Sequence, residues 1–172
     1  MCIRDRLRDL INREKIRRAI LYLAYVLVAQ FFQDNIFSRL PLFGVNMMFM
    51  PAAVVAIGAF EGGVWGASFG LVAGFLADIS YNNTALFTAV FPAIGFFSGV
   101  FTRWFVNASF FAYMCMCFAA FAVTAAAQML EPLLGGNALM PMVWTAVIQT
   151  LWSLPMAAAL YFPCRAIGRK RV

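Results

Sequence analysis

The chain has 172 residues, of which 64% are apolar and only 12% charged, and its mean hydropathy is +0.84. A soluble domain is about 45–50% apolar and about 25% charged, so this composition excludes a water-soluble core and fits a membrane protein. The net charge of +6 sits at the two ends, seven cations from Arg4 to Arg18 and four from Arg165 to Arg171, which argues against a nucleic-acid-binding face.

Histidine is absent, which removes the commonest general base and metal ligand. The four cysteines, Cys2, Cys115, Cys117 and Cys164, show no zinc or redox spacing, and packing is the expected role of Cys115 and Cys117 within an apolar run. No cofactor and no metal site is expected, and no catalytic residue.

Residues 1–17 read as a basic cytoplasmic or interfacial start. Within it Leu7, Leu10 and Ile11 share one helical face among cations, as on an anionic leaflet, or the stretch is solvated and only orients the next helix. The first apolar run lacks a small-x-small cleavage site and is followed by further apolar runs, so it is expected to be retained as a helix. Crossing a ~30 Å hydrocarbon layer takes about 20 helical residues. Six candidate spans follow, at 18–33, 42–60, 63–80, 84–105, 109–130 and 141–162, within a domain of residues 18–163 that precedes a basic tail, 164–172. The fold class is therefore all-α, a six-helix membrane bundle. Polar breaks separate the spans: Asp34-Asn35 and Arg39-Leu40-Pro41, then Glu61-Gly62-Gly63, then Ser80 to Thr84, then Glu131-Pro132 with Gly135-Gly136-Asn137. Pro51 interrupts the second span, which is the weakest of the six.

With both termini inside, twelve of the thirteen cations lie on the inner side and only Arg39 outside, as the positive-inside rule requires. Trp65, Trp104, Trp144 and Tyr161 near span ends suit an interfacial aromatic belt, whereas Trp152 falls mid-span and should pack on another helix. Gln30, Gln128 and Gln149 are expected to make interhelical hydrogen bonds.

The third span carries the most pointed pattern. Gly62, Gly66, Gly70 and Gly74 recur every four residues, and the next step of four reaches Asp78. In water each interior glycine costs a helix about 1 kcal/mol relative to alanine. In lipid, where no hydrophobic force drives helices together, a side-chain-free ridge admits a neighbouring backbone closely. Gly95 and Gly99 in the fourth span form a second such pair, with Ser98 beside it, and the two glycine faces are expected to pack on each other. A carboxylate at depth costs ~2.5–3.5 kcal/mol on insertion scales, so Asp78 should face protein or water. It either caps or bonds between helices, or it contacts a partner.

The row from Glu61 to Gly74 with Asp78, the short polar loop with Leu86-Phe87-Thr88, and then Gly95 and Gly99 together resemble the core signature of the MreD rod shape-determining membrane proteins. The opening Ala19 to Asp34, the stretch Leu40-Pro41-Leu42-Phe43-Gly44-Val45 and the ending Leu154-Pro155 through Pro163 also look like that family's Gram-positive branch, so the likeness covers residues 16–168. The family's usual glycine in the loop after the aspartate is replaced here by Tyr81-Asn82-Asn83-Thr84. The resemblance implies a non-enzymatic scaffold of the cell-elongation complex in the bacterial cytoplasmic membrane, helping regulate peptidoglycan synthesis and cell shape. Its implied partners are the transmembrane helix of MreC, MreB directly or indirectly, a SEDS glycosyltransferase, a class B penicillin-binding transpeptidase and membrane lipids. The small-residue face is the expected dock for MreC.

The family is similar in fold to the S-components of energy-coupling-factor transporters, so a vitamin-binding S-component is the alternative. Against it, Ala19, Ala24 and Ala29 are five apart and do not form the alanine-x-x-x-alanine docking face of those proteins. A lipid-modifying enzyme would need convergent titratable groups. Asp34, Asp78 and Glu131 share the expected outer side, but they lie on separate segments.

Overall fold

The computed structural model describes residues 3–37, 48–81, 85–104, 110–134 and 139–168. These form six α-helices: α1 (Ile3–Phe32), continued by a π-helical turn over Gln33–Phe37, α2 (Met50–Glu61), α3 (Gly63–Tyr81), α4 (Leu86–Trp104), α5 (Phe110–Leu134) and α6 (Leu139–Gly168). No strand occurs among the described residues. Four stretches are long and apolar enough to cross a membrane: Gly63–Tyr81, Leu86–Trp104, Phe110–Met129 and Val143–Ile167.

The second expected span, 42–60, is corrected by the structure. Its helix starts only at Met50, with Pro51 in the first turn, where the missing N–H is no loss. At 12 residues it is about 18 Å long. Positions 42–47 lie outside the described residues. This short helix is also the hub of the bundle. Every residue from Met50 to Gly58 is buried, as expected of a helix that is apolar all round, and α2 touches each of the other five helices.

The first helix runs without a break from Ile3 to Phe32, so the basic segment continues the rod that carries Ala19–Phe32. On α3 most large side chains face outward, Phe69 excepted, and the small ones face inward. On α3, Val64, Leu71, Phe75 and Ile79 are exposed, while Gly63, Gly66, Gly70, Ala73, Gly74 and Ala77 are buried. Water would penalise that arrangement, whereas lipid tails solvate the large side chains and leave close backbone contact to hold the helices.

The residues expected at an interfacial belt differ in exposure. Trp104 and Trp144 are exposed at helix ends, but Tyr161 is only 4% exposed. Its ring lies 5.6 Å from that of Phe60, 5.2 Å from Phe110 and 5.2 Å from Tyr113, so it joins α2, α5 and α6 in the core. The Tyr113 hydroxyl donates to the carbonyls of Ala52 (3.3 Å) and Ala157 (3.0 Å), tying the same three helices. Gln30 donates across to Ser80 on α3 at 3.1 Å, and Gln128 points its amide at the sulfur of Met48.

Candidate functional site

The chain reverses between α2 and α3 at one residue. Gly62 has φ +104°, a region closed to most side chains, and its N–H still closes the last turn of α2 on the Gly58 carbonyl at 2.9 Å. Gly62 therefore lies in the turn and not within the α3 ridge, which corrects its place in the expected row. Gly63 takes that place: a Cβ built there would stand 2.9 Å from the Phe96 carbonyl oxygen.

From Gly63 onward the bare ridge lies along α4. A Cβ on Gly70 would be 2.6 Å from the carbonyl oxygen of Phe91 and 3.0 Å from Cα of Pro92. One on Gly74 would be 2.8 Å from Cα of Thr88. Gly66 faces Gly95, and Gly99 lies against the Gly62–Gly63 turn with its Cβ position 2.5 Å from Cα of Gly63. In nearly every case the obstruction is backbone, which cannot swing aside, and α3 and α4 accordingly share the most extensive contact of any helix pair.

A third helix enters the same junction. Gly58 of α2 comes within 2.7 Å of the Cβ position on Gly66, and its own Cβ position is blocked by Ser98 and the Gly95 carbonyl. Gly58, Gly66 and Gly95 thus bring α2, α3 and α4 together at one point. Gly58 lies four residues before Gly62, so the spacing of four could have found it. The row is covered by helices of its own chain, and a partner helix could reach it only by separating them.

Asp78, 8% exposed, closes the end of this pair where α3 finishes and α4 begins. Its Oδ1 accepts the backbone N–H of Phe87 at 3.0 Å, and its Oδ2 accepts the backbone N–H of Thr88 at 2.8 Å and the Thr88 hydroxyl at 2.6 Å. Those N–H groups belong to the first turn of α4, which no intrahelical carbonyl can reach. Asp78 performs the task of an N-cap from the preceding helix, and its charge also suits the positive end of the α4 dipole. Residues 82–84, part of the polar break expected before the fourth span, lie outside the described residues. Ala85, just before α4, has φ +52°.

The same device recurs on α2 and escaped the sequence reading. Phe49, its N-cap, offers no side-chain acceptor. Gln33, fully buried, presents Oε1 to the N–H groups of Phe49 and Met50, both at 3.1 Å, and its Nε2 donates to the Tyr81 hydroxyl at 3.1 Å. Tyr81 in turn lies edge-on to Phe87, at 6.0 Å between ring centroids. Beside them Gln30 donates to both oxygens of Asp34, and Ser80 donates to Asp34 at 2.9 Å. Asp34 and Asp78 are thus both engaged by donors, and the side chain of Glu131 lies outside the described residues.

At the opposite end Glu61 accepts from the Tyr22 hydroxyl at 3.1 Å and lies 3.9 Å from the Arg18 guanidinium. From Gly63 to Asp78 the α3 axis rises ~22 Å, so the two polar ends fall near the two edges of a ~30 Å hydrocarbon layer. The geometry provides a rigid three-helix block with its buried acids held by donors at either rim. The chain matches no known family profile, no curated protein and no solved structure.

Proposed function

We propose that the chain is a six-crossing cytoplasmic-membrane scaffold of the MreD type, with both termini inside, which docks MreC and helps set where peptidoglycan synthesis elongates the cell. One observation carries the reading: the features behind the resemblance, the glycine row, Asp78, Thr88, Gly95 and Gly99, form a single packed unit in which each one touches another. Because that unit is sealed within the chain, MreC docks on another face, and the glycine row supplies the stiffness of the platform.

Expression in a rod-shaped bacterium deleted for its own MreD protein, together with the MreC encoded in the same genome as this chain, tests the reading. Restored rods and co-purification of MreC are expected. Spherical cells despite full accumulation of the chain in the membrane would refute it. Calorimetry with a vitamin panel separates the transporter alternative, since tight binding of any one vitamin favours an S-component.

A further inference from the structure

Gln30 is 6% exposed, and only half of its amide is engaged. Nε2 donates to Asp34 Oδ1 at 3.1 Å, to Asp34 Oδ2 at 2.9 Å and to Ser80 Oγ at 3.1 Å, whereas the enclosed Oε1 has no hydrogen-bond partner. Turning the amide over would set that oxygen against the carboxylate and strand the two donor hydrogens instead. A buried acceptor left unmade costs about 1–3 kcal/mol, so the oxygen marks a place for something the polypeptide does not supply. The planar amide holds Oε1 about 2.3 Å from Nε2, and hence within about 5.4 Å of both Asp34 oxygens and of Ser80 Oγ. One bridging atom spans that gap.

The surroundings give the bridging atom a positive charge. Among the described residues no Lys or Arg lies within ion-pair distance of Asp34, or of Asp78 at the same end of the bundle. Asp34 sits in the π-helical turn that continues α1, and Ser80 in the last turn of α3, so the carboxylate stands at the C-terminal ends of two helices, each carrying about −0.5 of a charge. The donor hydrogens of the cluster are spent, since those of the Gln30 amide and the Ser80 hydroxyl all point at oxygens within it. Lone pairs remain on Gln30 Oε1 and Asp34 Oδ1, and a neutral acceptor or an anion would find no donor there. Asp34 is half-buried and Ser80 exposed, which leaves a path from water.

These ligands are hard oxygens, and among the described residues no three His, Cys, Asp or Glu side chains converge, which argues against a transition-metal centre. Calcium accepts a mixed set of carboxylate, amide and water oxygens in flexible geometry, whereas magnesium demands a near-ideal octahedron. We propose that this cluster is a weak calcium site, with Asp34 and Gln30 Oε1 on the ion, Ser80 holding the carboxylate and water completing the shell. A single carboxylate sets its affinity in the range of about 10⁻⁴–10⁻³ M typical of extracellular calcium modules. Bound there, the ion clamps α1 to the end of α3, a helix it otherwise touches sparingly. The inference stands whether or not the chain belongs to an elongation complex.

Thermal unfolding of the full chain in mild detergent, stripped with EDTA and titrated with calcium chloride at constant ionic strength, tests it in wild type, Asp34→Asn and Gln30→Glu. Wild type is expected to gain about 3–6 °C at ten times the half-saturating calcium concentration, with magnesium or sodium chloride giving less than half of that. D34N should show no calcium response, and Q30E, which adds a second carboxylate, should half-saturate at roughly tenfold lower calcium. A wild type indifferent to calcium, an equal response to magnesium or sodium, or a D34N variant that responds as wild type does overturns the proposal. Should D34N fail to fold, Q30E decides alone, and a half-saturation point that is unchanged or higher overturns it.

Discussion

Asp78 takes both hydrogens that Thr88 can donate on one carboxylate oxygen, the amide at 2.8 Å and the hydroxyl at 2.6 Å. Ten residues of chain separate the two, so a single acid joins the end of one helix to the start of the next. Asp78→Ala is expected to lower stability by about 2–3 kcal/mol, since it strands two amides and a hydroxyl in a buried site. Asp78→Asn, which keeps an acceptor oxygen, should lose about half as much. With Cys2 and the exposed Cys115 replaced by serine, thermal unfolding in mild detergent reads this through a thiol-reactive dye, because Cys117 and Cys164 are fully buried until the bundle opens.

Gly70→Ala should cost about 1–3 kcal/mol, because its new methyl meets the Phe91 carbonyl at 2.6 Å and backbone cannot repack. Leu71→Ala, one position along on the lipid-facing side, should change the melting temperature little. Gly66→Ala and Gly95→Ala face each other, and combining them should cost less than the two separate losses by at least ~0.5 kcal/mol. An additive double variant would show that the two glycines do not share one contact.

Ala85 holds a left-handed backbone, φ +52°, where an L side chain is penalised by about 1–2 kcal/mol. Ala85→Gly is therefore expected to stabilise the fold by up to ~1 kcal/mol after the added flexibility of the unfolded chain is set against it, which a raised melting temperature would show. A lower melting temperature would mean that this backbone conformation is not the native one.

Gln33→Leu should destabilise the fold by about 1–3 kcal/mol, since two amides at the start of α2 lose their acceptor inside the bundle. Tyr81→Phe removes only the hydroxyl that Gln33 donates to and should cost about 1 kcal/mol or less. Equal losses would indicate that Gln33 acts through Tyr81 and not as a cap.

Single cysteines at Asn82 and Asn107, introduced after replacement of the native thiols, test the orientation. Position 82 should react with a membrane-impermeant maleimide from outside and position 107 only after permeabilisation. Labelling of both from one side would break the six-crossing arrangement.

How much of this could be read from the chain depended on distance along it. Spacing of four exposed the glycine ridge because such residues share one side of a helix, and the rarity of an acid at depth marked Asp78. The acceptor role of Gln33 left no such trace, since its donors, Phe49 and Met50, lie 16 and 17 residues away with no periodic relation to it. Pro51 read as an interruption because its helix was expected to start earlier. As an opening residue it fits well, and α2 is short because it is wrapped by other helices and need not meet lipid along its length. Tyr161 sits near the end of an apolar run, where a tyrosine suits the interface. Only the aromatic rings that converge on it from α2 and α5 show that it faces inward.

The borrowed caps give assembly a direction. Gln33 finishes α2 and Asp78 finishes α4, and in both cases the donor helix start comes later in the chain than the acceptor that completes it. As the polypeptide leaves the ribosome, each of these two helices meets an acceptor already synthesised, so neither waits bare-ended for a segment still to be translated.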